Sequence, residues 1–320
     1  MVHLSVIVCC YNSAHLLNET LSHLAKQVVN KGFVYEVVLV DNNSTDNTAE
    51  YATNIWDELN TYVAFKVVRE STPGLSYARK KGVLASCGDI IIFCDDDNWL
   101  QSNYIQTAYD FMILNPSVGA LGGQSEGVLE GKEPIWWQKE KLSYAVGKQA
   151  EHSGNVSKRG YVWGAGMVSR RDILFKLYQS DFKTLLTGRK GKGLASGDDS
   201  EICKWVLLMG FKLWYLEGLF FTHYITKNRL KDDYLQKLLK GHQQSQEILN
   251  LYNWILKTDL HKKIVNLTIR KRLFYLKSAL KKCIKKNVHW KKYMQVTFMG
   301  YVYIDSNLYS IFKTYKKVHN

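Results

Sequence analysis

Proline is scarce, with three residues in 320 (Pro73, Pro116 and Pro134), and no low-complexity stretch divides the chain. Without such a linker, this length suits one large or two small domains. No internal repeat is found. No apolar run approaches the roughly 18–20 residues needed to cross a bilayer. The residues before the first apolar run carry no basic leader followed by an apolar signal core. Cysteines 9, 10, 87, 94, 203 and 283 show neither CxxC nor Cys/His metal spacing, so they suit reduced core residues of a cytosolic protein. No GxGxxG follows the first apolar run and no GxxxxGK[ST] occurs, which excludes the common glycine cradles for phosphate. Acidic residues are outnumbered, 29 Asp+Glu against 43 Lys+Arg, for a net charge of +14. Some surface should therefore favour anions such as phosphate, acidic lipid or nucleic acid. The hydrophobic fraction of 46% is enough for a substantial core.

What is present centres on Ile90-Ile-Ile-Phe-Cys-Asp-Asp-Asp-Asn98. A continuous β-rich apolar run reads as a strand buried on both faces. Three adjacent carboxylates at its end repel one another unless a cation or hydrogen-bond donors compensate. A hard divalent cation, Mg²⁺ or Mn²⁺, takes oxygen ligands and leaves positions for phosphate. The plainer alternative is an acidic turn, with Asp97 or Asn98 capping the next helix. With no glycine cradle available, a metal clamp is the other common way to hold a diphosphate.

Leu4–Cys10 predicts a first strand. Ser13 then caps a helix to about Val29, with Leu17, Leu21 and Leu24 on one stripe. Tyr35–Asp41 is a second buried strand, followed by a helix to about Leu59. Val63–Val68 is a third strand, and a helix carrying Arg79 follows Pro73-Gly74. The Ile90 strand leads to a helix from about Leu100 to Leu114. This alternation predicts an α/β fold, a mostly parallel sheet with helices on both faces. Asp41 and the Asp95–Asp97 cluster then reach one sheet edge, where such folds bind ligands.

After Gly123 the pattern loosens. Trp163-Gly-Ala-Gly-Met167 has the small residues of a loop that a ligand approaches closely. Gly197-Asp-Asp-Ser-Glu201 opens an apolar helix with more acid than a cap requires, and a carboxylate fixed at a helix start has the steady aim of a general base. Phe211–Leu216 and Leu219–Tyr224 read as two short strands. His223, in the second, is a possible third metal ligand.

Five segments in this order resemble the family 2 glycosyltransferases. They are Ser5–Asn12, Val38–Asp46, Gly74–Arg79, Gly88–Asp97 and Gly197–Glu201, and the likeness covers roughly residues 3–225. The resemblance implies a GT-A (Rossmann-like) fold and an inverting, nucleotide-sugar-dependent enzyme of bacterial polysaccharide assembly, with a UDP-sugar as donor and Mn²⁺ or Mg²⁺ as cofactor. It puts Asp41 on the nucleotide base, Asp95 on the ribose and diphosphate and Asp97 on the metal, with Asp96 sharing the ribose. Tyr11, Asn12 and Arg79 join the nucleotide-binding set, and Asp95 and His223 join the metal set. Asp199 is the base, with Asp198 as the alternative because Asp stands where the family has Glu. Trp163, Gly164 and Met167 would meet the acceptor, a saccharide or polyprenyl-linked hydroxyl, with Trp136 and Trp137 nearby. The competing readings are a sugar nucleotidyltransferase, which would need a glycine-rich basic loop after the first strand, and a non-catalytic nucleotide-sugar-binding scaffold.

The expected organisation is a catalytic unit over 1–228, divided into a nucleotide half (1–122) and an acceptor half (123–228), then a helical basic region over 229–320. Between Lys257 and Lys292 lie 13 Lys or Arg and one acid, Asp259, interleaved with apolar residues at helical spacing. That pattern reads as a helix on an anionic membrane surface. It predicts a cytoplasmic enzyme held peripherally on the inner face of the cell membrane, and no nucleic-acid partner. A cut after about Leu256 is expected to leave the catalytic unit whole.

Overall fold

The computed structural model describes residues 1–180, 182–189, 196–258 and 306–319. In chain order its elements are β1 (Leu4–Cys10), α1 (Leu17–Ala25), β2 (Tyr35–Asp41), α2 (Thr48–Glu58), β3 (Ala64–Arg69), α3 (Leu75–Ala85), β4 (Ile90–Asp95), β5 (Asn98–Leu100), α4 (Tyr104–Leu114) and β6 (Val118–Leu129). There follow α5 (Trp137–Glu140), β7 (Gly154–Asn155), β8 (Met167–Arg170), α6 (Arg171–Gln179), α7 (Asp198–Leu208), β9 (Lys212–Ile225), α8 (Asp232–Thr258) and α9 (Ser306–His319).

The strands form one sheet in the order β3-β2-β1-β4-β8-β6-β9-β5, with β7 on β9. The fold class is the expected α/β. The half β3-β2-β1-β4 is parallel, whereas β8 runs antiparallel to both β4 and β6. The longest pairing, β6 with β9, is parallel as well, so the sheet is mostly parallel as expected, with antiparallel pairings confined to β8, β5 and β7. Continuous apolar runs report burial on both faces, which antiparallel strands can share, so periodicity alone does not give direction. One face carries the cluster that includes Ile7, Val38, Phe93 and Trp205, and the other carries Leu17, Leu21, Leu39 and Tyr104.

Three local expectations change. Ser13 does not cap α1; its hydroxyl accepts from Tyr11 N and donates to Asp96, and α1 begins at Leu17. Asn98 opens β5 instead of a helix, paired with His223 of β9. The two short strands after Gly210 are one, because Glu217-Gly218 makes a bulge and not a turn. Gly122 pairs with Tyr215, and Gln124 already pairs with Phe220. A Cβ on Gly123 would sit 2.1 Å from the Leu219 carbonyl oxygen, so only glycine admits this crossing.

The described parts of 229–320 pack on the sheet domain. Tyr252 and Ile255 of α8 and Ile311, Phe312, Tyr315 and Val318 of α9 belong to the same buried cluster as α6 and α7. The basic segment expected on a membrane lies almost entirely in 259–305, outside the described residues. No helix among the described residues is long and apolar enough to cross a membrane.

Candidate active site

Register fixes the edge. Cys10 pairs with Asp41 and Cys9 with Asp95, so β1, β2 and β4 end level. A cavity of about 1210 Å³ opens there. It is lined on the donor side by Tyr11, Asn42, Asn43, Arg79 and Asp95–Asp97, and roofed by Tyr234, Leu238, His242 and Gln246 of α8.

Arg79 joins the two acidic clusters. It is 2% exposed; Nη1 donates to Asp198 Oδ2 at 2.6 Å, and Nη2 lies 3.9 Å from Asp95 Oδ1. Burial alone would lower its pKa, but Asp198, Asp95 and Asp199 raise it above the ordinary guanidinium value, so it stays charged. Asp198 is thus buried and spent on Arg79. Asp199, next to it, is half-buried and lines the cavity. Its Oδ2 accepts from Gly164 N at 2.7 Å and its Oδ1 from Ser200 N at 2.6 Å, which fixes its aim. A Cβ on Gly164 would lie 2.4 Å from Arg79 Nη2 and 3.0 Å from Asp199 Cβ. The glycine is what lets the Trp163 loop close on the carboxylate.

The start of α7 is held from below by Glu201. Its buried carboxylate accepts from Leu185 N at 3.0 Å, Leu186 N at 3.1 Å and Tyr252 OH at 2.6 Å. Burial raises its pKa, against the pull of these donors. One residue of the acidic motif therefore fastens α7 to both the 184–186 loop and α8.

Asp97 is buried between His223 and Arg229. His223 Nε2 is 3.3 Å from Asp97 Oδ1, and Arg229 Nη1 donates to Oδ2. Burial pushes the Asp97 pKa up, but the charges of His223 and Arg229 outweigh it and hold the group below the ordinary carboxylate range. Asp96 is pushed the other way, to about 7, by burial and by Asp97, against its bond from Ser13. Among the described residues no three His, Cys, Asp or Glu converge on a preformed metal cage. The Asp97–His223 pair nevertheless fits as a two-donor set. Its spacing is near the roughly 3 Å between adjacent ligands around an octahedral cation with bonds of about 2.0–2.1 Å. His223 Nδ1 is buried without a partner. A cation here would compete with Arg229 for Asp97.

Several expected site residues do not reach the cavity. Asp41 is buried, accepting from Ser44 N at 3.0 Å and facing Arg69 Nε at 3.7 Å, and its neighbours Asn42 and Asn43 line the cavity in its place. Asn12 ties two turns together, its Oδ1 accepting from Thr45 N at 2.8 Å. Met167 begins β8 fully buried in the core, because alternation along the strand turns it away from the loop. Trp136 donates to Asp232 at 2.6 Å and Trp137 packs with Tyr144 and Leu235, so neither lines the cavity. Tyr11, Trp163 and Gly164 do line it. The sequence reading missed Arg229, Arg189, Lys204, Gln149 and His242. Arg229 lay within a recognisable segment, six residues after His223. The others carry no local signal.

The profile of Glycosyl transferase family 2 matches residues 5–175. The glucosyl-dolichyl phosphate glucuronosyltransferase of Haloferax volcanii is 24% identical over 204 residues, covering 62% of this chain and 61% of that protein. Another curated relative is matched over only 28% of its length, so the chain spans less than two thirds of these relatives. Among solved structures, S. aureus TarS 1–349 in complex with UDP-GlcNAc superposes with a TM-score of 0.53 at 21% identity, covering 99% of this chain and 89% of that one. The mannosyltransferase PcManGT of Pyrobaculum calidifontis, in complex with GDP-Man and Mn²⁺, gives 0.52 at 16% identity over 98% of this chain and 86% of that one. At such identities the structural likeness speaks for the fold alone.

Proposed function

Because the chain belongs to glycosyl transferase family 2 and is a glycosyltransferase, we propose that it moves a sugar from a UDP-sugar to a hydroxyl of a saccharide or polyprenyl-linked acceptor, with inversion, in assembly of a bacterial surface polysaccharide. The observation that carries this reading is the division of labour at α7. Asp198 is tied to Arg79, while Asp199 is oriented by two backbone N–H groups and open to the same cavity as Asp95.

Asp199 has lone pairs left to accept the acceptor's proton. The acceptor oxygen then attacks the anomeric carbon from the face opposite the diphosphate. The bond to the diphosphate oxygen breaks, and its electron pair leaves with the nucleoside diphosphate. One displacement inverts the configuration. Arg79 keeps Asp198 and Asp95 in register with the base, and Asn42, Asn43 and Tyr11 would hold the nucleoside. Asp97 and His223 would hold Mn²⁺ or Mg²⁺, with Asp95 beside them, and that cation supplies charge neutralisation for the leaving diphosphate. The aliphatic and aromatic roof from α8 would exclude water. We assign 1–228 to catalysis and the basic stretch of 229–320 to the inner face of the cell membrane.

The test is Asp199→Asn. UDP binding by calorimetry should be retained, while transfer falls by about 10²–10⁴, the contribution of a positioned base. Product anomers read by NMR should be inverted. A variant that transfers at the wild-type rate, or a retained anomer, would remove the mechanism.

A further inference from the structure

Lys204 is out of place by ordinary rules. It lies on α7 and is 3% exposed, yet no hydrogen bond or ion pair joins it to any other described residue. Burying an ammonium without a counter-charge is costly, and burial accordingly lowers its pKa. Its ammonium lies against Gly160, where a Cβ would be 2.2 Å from Nζ. Gly160 (φ +80°) thus leaves the room the ammonium fills. Lys204, Arg159 and Asn253 all line the cavity.

Arg159, next to Gly160 in the chain, is also free of carboxylates among the described residues. It donates to the Gln149 carbonyl, and its guanidinium lies 4.3 Å from the Tyr161 ring centroid and 5.5 Å from that of Trp163. By contrast, Lys148, which also lines the cavity, is satisfied by Glu217 at 2.7 Å. The acidic residues Asp95–Asp97, Asp198 and Asp199 line the same cavity. Lys204 follows Asp199 by five residues, about 7–8 Å along the helix axis.

We propose that Lys204 and Arg159 form a subsite for an anionic group of the acceptor, a phosphate or a carboxylate carried close to the hydroxyl that Asp199 deprotonates. This rests on the glycosyltransferase reading above and names its acceptor class. A neutral oligosaccharide would bring no counter-charge to Lys204, which has none among the described residues. An anionic acceptor would supply a counter-charge, and Arg159, held near the Tyr161 and Trp163 rings, would supply a planar fork suited to oxyanions. Gly160 links the two: it follows Arg159 in the chain and leaves the room that the Lys204 ammonium fills.

The full chain is saturated with UDP and Mg²⁺, so that the donor site is filled, and titrated calorimetrically with methyl phosphate and, separately, with acetate. Wild type should bind at least one of them, and the one preferred tells phosphate from carboxylate. Lys204→Met should weaken that binding at least tenfold and Arg159→Gln several-fold, with UDP affinity held within twofold. Lys204→Met should unfold no lower than wild type, since it removes an unpaired charge from the interior; if it fails to fold, Arg159→Gln decides. Absence of binding by both anions in wild type, or wild-type binding by the folded variants, overturns the subsite. Failure of the underlying reading shows separately, as no UDP binding in wild type. The anions are then titrated without nucleotide and read the same way.

Discussion

At the residue scale, Arg79 separates what two adjacent aspartates do. Its fork lies between Asp198 and Asp95, at 2.6 and 3.9 Å, and a lysine ammonium is a single point that cannot span both. Removing one partner of a buried pair leaves the other charge uncompensated, at a cost of about 3–5 kcal/mol. Arg79→Met and Asp198→Asn should therefore both lower the melting temperature and weaken UDP binding, with Arg79→Lys in between. Asp199→Asn should lower the melting temperature less and leave UDP binding in place: its single amide oxygen can serve only one of the two donors, Gly164 N or Ser200 N, but no buried charge is left uncompensated. Thermal unfolding and calorimetry of the four variants check this. A stable Asp198→Asn protein with wild-type UDP affinity would show that Arg79 does not depend on that pair.

At the scale of elements, the parallel half of the sheet is pinned by a buried polar knot as well as by its apolar runs. Glu36 of β2 accepts from Ser5 of β1 at 2.7 Å and from Cys87 N at 2.6 Å, and pairs with Lys66 of β3 at 2.9 Å. Ser5 Oγ in turn accepts from Gly88 N at 2.8 Å, where a Cβ would strike the Leu4 backbone at 2.5 Å. Burial pushes the Glu36 pKa up, but these donors together hold it below its ordinary 4.5. A carboxylate lowered in the folded state adds stability above its unfolded pKa and loses it as pH falls through the folded value. Glu36→Gln should lower the melting temperature at pH 7 by the equivalent of about 1–3 kcal/mol, the scale of a charged hydrogen bond. As pH falls from 4.5 through the lowered folded value its curve should converge on that of wild type; a constant separation of the two curves from pH 7 down to acid unfolding would refute the linkage. The strands themselves were legible, because β1, β2 and β4 carry long β-rich apolar runs, interrupted only near their starts by Ser5 and Glu36, and the acids at the ends of β2 and β4 mark the edge. The knot was not legible, since Ser5, Glu36 and Gly88 meet only through register. Nor was Lys204, whose membership of the site depends on which face of α7 meets the cavity. Met167 was misplaced by reading a motif as a loop where alternation governs.

At the scale of the whole molecule, the C-terminal third is less separable than its composition suggests. Ile311, Phe312, Tyr315 and Val318 of α9 are buried against the catalytic core, each worth about 1.5–3 kcal/mol if fully buried. A chain ended after residue 258 should therefore melt well below the full chain, and any loss of vesicle binding in it would be ambiguous. The membrane proposal is better tested with the full chain, by exchanging Lys and Arg of 262–292 for Gln. Each basic residue near an anionic leaflet contributes on the order of 1 kcal/mol. Six such exchanges should thus abolish co-sedimentation with vesicles containing anionic lipid while leaving UDP binding and the melting temperature in place. Wild-type attraction should weaken with salt, as the Debye length shrinks from about 10 Å at 0.1 M to about 3 Å at 1 M. A residue of binding at high salt is expected if Leu273, Phe274 and Leu280 insert, since burial of apolar surface is not screened. Equal sedimentation of the exchanged and wild-type chains across the salt series would show that the net charge of +14 serves something other than a membrane, with the acceptor's own anions the first alternative to examine.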